Sequence, residues 1–284
     1  MEISKKGAML LMALCAFLWS TGGLLIKLLP WHPAVISGLR SAIAALVILI
    51  YMKASRMRLS FSWKGLGAGV CLGATMLLFV WANKLTTSAN AIVLQSTNPV
   101  HIVLLSALFL GCRYSRRELL AVAAAMGGVA LCFFDQLTPG GLLGNFIALG
   151  SGLTMGAMFL FSSRLPDDQQ AMTSLALGHG LAAAAGLLFL PGSPVELTPV
   201  TVGAILALGV FQLGVPYILY ALAVRRCSPL SCSLLSMLEP LLNPVWVFLA
   251  MGEKPGFFAL AGGIIALTGL LYLYLKSPGA HPDG

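Results

Sequence analysis

The sequence LQSTNPVHIVLLSALFLG occupies residues 94–111, and LSMLEPLLNPVWVFLAMG occupies residues 235–252. Sliding the chain along itself by 141 positions, without gaps, superposes the two stretches and places Pro99 over Pro240. Glycines also match at this offset: Gly73 with Gly214, Gly111 with Gly252, and Gly128 with Gly269. We therefore predict that the chain consists of two related halves.

The composition of the chain indicates its solvent. Of 284 residues, 58% are hydrophobic and 9% are charged, and the mean hydropathy is +0.93. A soluble domain carries about 25% charged residues, so this chain would expose a large apolar area in water. We predict an all-α integral membrane protein, because helices satisfy their own backbone polar groups in lipid.

A membrane-spanning helix needs about 20 apolar residues. Ten runs of that kind occur along the chain, at 7–29, 34–53, 64–84, 88–111, 115–134, 142–164, 171–191, 198–224, 228–252 and 255–276. Five fall in residues 1–136 and five in residues 137–284, which we take as two repeats. Because five is odd, the second repeat must enter the membrane upside down relative to the first. Inverted repeats are typical of secondary transporters, whose substrate site lies near the midplane at the repeat interface.

The distribution of positive charge predicts the orientation. With a cytoplasmic N-terminus, 13 of the 17 Lys and Arg residues lie on the cytoplasmic side, as the positive-inside rule requires. These residues are Lys5, Lys6, Lys53, Arg56, Arg58, Lys64, Arg113, Arg116, Arg117, Arg164, Arg225, Arg226 and Lys276. We predict a protein of the cytoplasmic (inner) membrane with both termini cytoplasmic. The net charge of +8 lies in short clusters between apolar runs, which favours membrane lipids over nucleic acid as partners.

Glu239 is the most informative single residue, because it falls near the middle of the predicted span 228–252. A charge at the bilayer centre costs at least about 2.5–3.5 kcal/mol, and Pro240 leaves the carbonyl of Ser236 without its helical donor. Ser236, Glu239 and Asn243 share one helical face. Glu239 could bind a cationic group of a solute or take up a coupling proton. It could equally be a structural carboxylate that stabilises the helix break.

Gln95 and Asn98 lie in the equivalent span of the first repeat, and Asn98 matches Glu239 directly. They share one helical face, three residues apart, and could line a central cavity or hydrogen-bond between helices. The nearby His101 could relay protons or be a satisfied packing residue.

Arg40 and His179 are ionisable residues inside predicted spans, where such residues often mark solute or proton pathways. Arg40 could attract a carboxylate of the solute, pair with Glu239, or hydrogen-bond the carbonyls of a broken helix. His179 is a second candidate for proton coupling.

Four aromatic residues lie inside spans rather than at the membrane interface: Trp19, Trp81, Tyr217 and Tyr220. Their rings could contact an organic solute, including a cation, or pack in the core. The sequence holds no nucleotide-binding loop, no hydrolase motif and no cluster with the spacing of metal ligands. We predict no catalytic residue, no metal and no cofactor.

The chain resembles the drug/metabolite transporter superfamily, and specifically its ten-helix EamA-type members, over nearly its whole length. The end of the second half, YALAVRRCSPLSCSLLSMLEPLLNPVWVFLAMGEKPGFFALAGGIIALTG at residues 220–269, is the most telling part. There, Pro240 and the Gly-Glu pair at 252–253 follow the family pattern. Arg40 and Pro99 fit it in the first half.

One position departs from this pattern, because Cys112 stands where the family often has the glutamate of its Gly-Glu pair. The resemblance implies secondary transport of a small organic solute (amino-acid-like, an amine or drug-like), often by export from the cytoplasm. Alternating access is the expected mechanism, with proton coupling or exchange left open. The alternatives are a lipid flippase and an intramembrane lipid-modifying enzyme. Ten helices can enclose a site alone, so we expect a monomer and leave a dimer open.

Overall fold

The computed structural model describes residues 4–134, 141–251 and 256–276, and these residues form helices and no strand. The helices are α1 Lys5–Trp19, α2 Gly22–Lys27, α3 Pro33–Ala54, α4 Trp63–Leu85, α5 Ser88–Gln95, α6 Asn98–Leu110, α7 Arg116–Cys132, α8 Leu142–Ser162, α9 Asp168–Leu187, α10 Pro199–Ala207, α11 Val215–Val224, α12 Pro229–Ser236, α13 Leu238–Met251 and α14 Phe257–Lys276. A π-helical segment, Leu208–Gly214, joins α10 to α11.

Six segments of the described chain are long and apolar enough to cross a membrane. They are Lys5–Ile26, Pro33–Ala54, Trp63–Leu85, Ala89–Leu110, Leu142–Ser162 and Pro199–Val224. This architecture agrees with the predicted class of integral membrane protein. The other four predicted spans correspond to α7, α9, the pair α12 and α13, and α14. The count of ten spans and their arrangement as inverted repeats stay predictions.

Both proline-containing stretches form interrupted helices. The first helix of each pair ends four residues before the proline: α5 at Gln95 before Pro99, and α12 at Ser236 before Pro240. The proline ring displaces the carbonyl at that position and offers it no hydrogen bond, so the helix stops there. Moving the bounds of α5 by 141 positions gives the bounds of α12. The two breaks therefore occupy equivalent places in the two halves.

The π-helical segment widens its helix just before Pro216. The backbone N–H of Val215 bonds the carbonyl of Val210, five residues back. Such wide turns are frequent at functional sites, and here the turn precedes a proline that cannot donate a hydrogen bond of its own. A Cβ on Gly209 would lie 2.4 Å from the Cβ of Ile43, so the segment packs tightly against α3.

Glycines let α3, α4 and α9 approach one another closely. A Cβ on Gly186 of α9 would lie 2.6 Å from the Cα of Gly38 on α3. A Cβ on Gly69 of α4 would lie 2.7 Å from the carbonyl oxygen of Ser174 on α9. Small residues permit this kind of contact between membrane helices. The close packing fixes the positions of the side chains that α3 and α9 carry.

Candidate functional site

Arg40 lies on α3 inside the helix bundle, with 8% of its surface exposed. Ser37 and Ser41 lie on the same face of α3 and are also buried. The Arg40 Nε and both serine hydroxyls have no hydrogen-bond partner in the protein. Since buried polar atoms are normally paired, three unpaired groups on neighbouring turns of one helix need an explanation.

His179 lies on α9 and is fully buried, and neither of its ring nitrogens has a partner in the protein. The ring packs edge-on against Tyr217 of α11, with 4.5 Å between the ring centroids. Tyr217 in turn lies 5.1 Å from the ring of Trp19 on α1. Three helices, α1, α9 and α11, therefore meet at these rings.

Gln212 enters the same region from the π-helical segment and is buried. Its Nε2 donates to the carbonyl of Trp19 at 3.2 Å, whereas its Oε1 has no partner. A Cβ on Gly22 would lie 2.8 Å from that Nε2, so the glycine at the start of α2 makes room for the amide.

Glu239 lies at the start of α13, directly after the second helix break, and is partly exposed. Arg40 and Tyr217 are both within electrostatic range of it. Arg40 and Glu239 do not form an ion pair, and the two ion pairs found within the described residues both involve Asp168. The Arg40 guanidinium and the Glu239 carboxylate thus belong to the same region without forming an ion pair.

Five residues that each carry a buried, unpaired polar atom form what we call the polar cluster: Ser37, Arg40, Ser41, His179 and Gln212. The indole Nε1 of Trp19 is also buried and unpaired. Polar and charged side chains within a membrane are costly unless they are paired. A solute that offers acceptors to Arg40 and donors to Glu239 could satisfy these groups, while Trp19 and Tyr217 supply an apolar wall. The arrangement suits the binding of a small polar molecule.

Gln95 and Asn98 are hydrogen-bonded between helices. The Gln95 Nε2 donates to the Ser151 hydroxyl of α8 at 2.8 Å. Asn98 is buried, accepts a hydrogen bond from the Ser233 hydroxyl of α12, and donates to the carbonyl of Gln95 at 3.3 Å. The Asn98 amide therefore satisfies the carbonyl that Pro99 leaves free at the first break. A contact of either residue with a solute stays a prediction.

Other predicted site residues are spread around this region. Ser236 is buried, and its hydroxyl donates to the carbonyl of Ser233 at 2.6 Å. His101 is partly exposed, with its Nδ1 3.4 Å from the hydroxyl of Thr97.

Two predicted aromatic residues have different surroundings. Tyr220 is fully buried beside Trp19, with 6.3 Å between the rings, and extends the apolar wall. Trp81 is 49% exposed on α4 and approaches the polar cluster at Ser37, across a small crevice between α3, α4 and α9. Asn243 belongs to α13, and its side chain lies outside what the structure describes.

Ser37, Ser41 and Gln212 were not among the predicted site residues. The signal for the serines is their spacing from Arg40, because all three lie on one face of a helix. The signal for Gln212 is a single amide within the apolar run 198–224. Neither pattern in the sequence predicts that the serines of α3 lie close to Gln212, because α3 and the π-helical segment are far apart along the chain.

Residues 6–134 and residues 142–275 each match the sequence profile of the EamA-like transporter family. The chain belongs to this family. It is therefore a multi-pass membrane transporter and not an enzyme, which excludes the alternative of a lipid-modifying enzyme.

Individual relatives cover most of the chain at low identity. An uncharacterized transporter of Archaeoglobus fulgidus is 27% identical, over 96% of this chain and 98% of the relative. The threonine/homoserine exporter RhtA of Escherichia coli is 25% identical, over 82% of this chain and 79% of the exporter. A protein of known crystal structure superposes with a TM-score of 0.82 at 20% identity, over 96% of this chain and 100% of its own, and so shares the fold.

Proposed function

We propose that this EamA-family member is a secondary transporter that exports a small zwitterionic metabolite of the amino-acid type across the cytoplasmic membrane. The proposed solute site is the region between the polar cluster, Glu239 and the rings of Trp19 and Tyr217. The observation that carries the proposal is the set of buried, unpaired polar groups around Arg40, which itself lies within electrostatic range of Glu239.

The charges around this region match the two ends of a zwitterion. The Arg40 guanidinium offers donors in the geometry that a carboxylate accepts, and Glu239 offers a carboxylate to an ammonium group. His179 and Gln212 add unpaired hydrogen-bonding atoms. Buried charges are costly unless charges of opposite sign compensate them. The charges of Arg40 and Glu239 compensate each other, and a zwitterion adds no net charge to the site.

The relatives support this class of solute. RhtA is named as an exporter of threonine and homoserine, which are both small amino acids. We carry over the class of solute and the outward direction from this relative, and not the individual amino acid.

The mechanism we propose is alternating access between two inverted repeats of five spans each. Two observations support it: the same family profile matches each half, and the bounds of the interrupted helices repeat at an offset of 141 residues. The excess of basic residues on one side supports cytoplasmic termini. Glu239 is the proposed residue for proton coupling, if the transport is proton-driven.

A thermal-shift screen of the purified protein, followed by flux in proteoliposomes, tests the proposal. We expect α-amino acids to raise the melting temperature and to be transported. Matched analogues that lack the carboxylate (primary amines) or the amino group (carboxylic acids) should do neither. Equal stabilisation by an amine alone would overturn the zwitterionic solute.

The same proteoliposomes separate the mechanisms. Uphill flux driven by an imposed proton gradient indicates proton coupling, whereas flux that needs amino acid on the opposite side indicates exchange. Movement of labelled lipid between leaflets, with no flux of any amino acid, would favour a lipid flippase and contradict the proposal.

A further inference from the structure

The end of α3 that the charge distribution predicts to be cytoplasmic carries an open cavity of about 350 Å³. Three basic residues line it, Lys53, Arg56 and Arg58. Leu49 and Met52 contribute apolar surface beside them. The cavity thus combines positive charge with an apolar wall, which is the combination that a phospholipid headgroup and its first methylene groups require.

The backbone at Arg56 is in the left-handed conformation, with φ 56°, and no other non-glycine residue in the described ranges has a positive φ. The N–H of Arg56 bonds the carbonyl of Lys53 at 3.1 Å, and the N–H of Met57 bonds the carbonyl of Met52 at 2.8 Å. These two bonds define a Schellman helix end, where glycine usually holds the left-handed position. An arginine is sterically unfavourable there. Residues held in such conformations are enriched at ligand sites, and here the unfavourable residue supplies a charge.

The loop that follows α3 is held in place by α9. The backbone N–H of Arg58 donates to the side-chain oxygen of Gln169 at 3.0 Å. Two residues on, the N–H of Ser60 donates to the hydroxyl of Thr173 at 3.1 Å. The basic residues are therefore presented by a backbone that is already fixed, which lowers the entropy lost when a ligand binds.

The positive charge of the cavity has no acidic partner in the described chain. Both ion pairs found among the described residues are formed by Asp168. Lys53, Arg56 and Arg58 therefore have no described carboxylate within 4 Å. Their charge is available to an anion from outside the protein.

Exposed apolar residues place the cavity at the surface of the bilayer. Leu46 and Ile50 on α3 are 57% and 58% exposed. Phe61, near the end of the loop, and Trp63, the first residue of α4, are 60% and 70% exposed. A tryptophan at the end of a membrane-spanning helix, as at Trp63, is typical of the membrane interface. An anion bound in the cavity would lie next to lipid chains, which favours a phospholipid over a free anion.

We propose that this cavity is a binding site for an anionic phospholipid. Lys53, Arg56 and Arg58 bind its phosphate, and its acyl chains lie along Leu46 and Leu49. The proposal does not depend on the solute or on the direction of transport.

Binding is measured on the full-length protein in detergent by native mass spectrometry and by the shift in melting temperature on adding phosphatidylglycerol. Each basic side chain near a membrane surface contributes about fivefold to the affinity for anionic lipid, so Lys53→Gln/Arg56→Gln/Arg58→Gln should weaken binding about a hundredfold. The matched control is Arg113→Gln/Arg116→Gln/Arg117→Gln, which removes three charges from the same predicted side but not from the cavity. It should bind phosphatidylglycerol as the unchanged protein does. Equal losses in both variants would overturn the site, because they would indicate general surface charge.

Arg56→Gly separates binding from folding. Glycine suits the left-handed position, so this variant should be as stable as the parent or more so, yet bind phosphatidylglycerol about fivefold more weakly. Unchanged lipid binding by a stable Arg56→Gly variant would contradict the role of Arg56.

Two further ligands decide the chemistry. Phosphatidylcholine should give a much smaller shift than phosphatidylglycerol, and an equal shift would overturn the preference for anionic lipid. Inorganic phosphate at millimolar concentration should not displace bound phosphatidylglycerol, and displacement would instead assign the cavity to a free anion.

Discussion

The two interrupted helices hold equivalent places in the two halves but have opposite surroundings. At the first break, the Asn98 amide satisfies the carbonyl of Gln95 and accepts a hydrogen bond from Ser233. At the second break, the matching residue Glu239 forms no ion pair and lies within electrostatic range of Arg40. One break is closed by neutral hydrogen bonds, whereas the other carries a carboxylate that forms no ion pair.

The difference between Asn98 and Glu239 indicates how one of two related repeats can come to hold a solute site. A neutral amide can donate and accept at once, so Asn98 satisfies the groups around it without outside help. An ionised carboxylate only accepts, so Glu239 cannot satisfy the carbonyl that Pro240 leaves free unless it carries a proton. We infer that the first break has a structural role in joining the two halves, and that the second contributes to the solute site.

Glu239→Gln should have the largest effect, because it removes the charge that distinguishes the second break from the first. We expect solute flux to fall by more than about tenfold, since a hydrogen bond to a charged group contributes about 1.5–3 kcal/mol. The melting temperature should change little, because glutamine keeps the shape of the side chain. Flux in proteoliposomes is the measurement, and Glu196→Gln, at an exposed carboxylate in the loop before α10, is the control. Unchanged flux in Glu239→Gln would make the carboxylate structural and remove the contrast.

Gly38→Ala tests the close packing of α3, which carries Arg40, against α9, which carries His179. The added Cβ would lie 2.8 Å from the backbone of Gly186, so α3 and α9 must move apart. We expect a loss of about 1–3 kcal/mol in stability, as for other overpacked contacts, together with weaker solute binding. Gly180→Ala, on α9, has no atom within 4 Å of its new Cβ and should keep or slightly raise the stability, because alanine favours a helix more than glycine does. Equal melting temperatures for the two variants would contradict the close approach of α3 and α9.

Asn98→Ala probes the first break. Hydrogen bonds between membrane helices contribute about 0.6 kcal/mol on average and up to about 1.7 kcal/mol, and we expect a loss of stability in that range. The affinity for solute should stay within about twofold, because the polar cluster is untouched. A variant that keeps its stability but loses solute binding would move the solute site toward the first break and support the cavity-lining role of Asn98.

Asp168→Asn should have the smallest effect on stability, because Asp168 lies at the start of α9 and belongs to neither helix break. Although burial alone would raise the pKa of the Asp168 carboxyl, hydrogen bonds from Arg226 and Arg225 outweigh it and hold that pKa below its usual value. A lowered pKa in the folded state stabilises the protein above the pKa of the unfolded chain, about 4, and this contribution is lost as the pH falls further. We expect Asp168→Asn to cost about 1 kcal/mol or less at neutral pH, with the difference in melting temperature shrinking below about pH 4.

Asp168→Asn should leave the affinity for solute unchanged, because its ion pairs lie between the start of α9 and the end of α11. A drop in affinity as large as that of Glu239→Gln would indicate that the site extends to this end of the bundle.

The sequence by itself determined the features that act within one element. Composition predicted a membrane protein, because it needs no knowledge of the fold. The missing N–H of proline predicted the break near Pro240, because its effect on the helix is local. The search for charged residues in apolar runs also found Arg40, His179 and Glu239, since a charge in a membrane is rare whatever surrounds it.

Only the tertiary structure decided which of these residues meet and which are already satisfied. Asn98 and Glu239 look equivalent in the sequence, yet Ser233 comes within reach of Asn98, and Arg40 comes near Glu239. Gln212 joins the polar cluster because a wide turn brings it to Trp19. These pairings join helices far apart in the chain, and no local pattern specifies their approach at glycines such as Gly22, which lies beside Gln212.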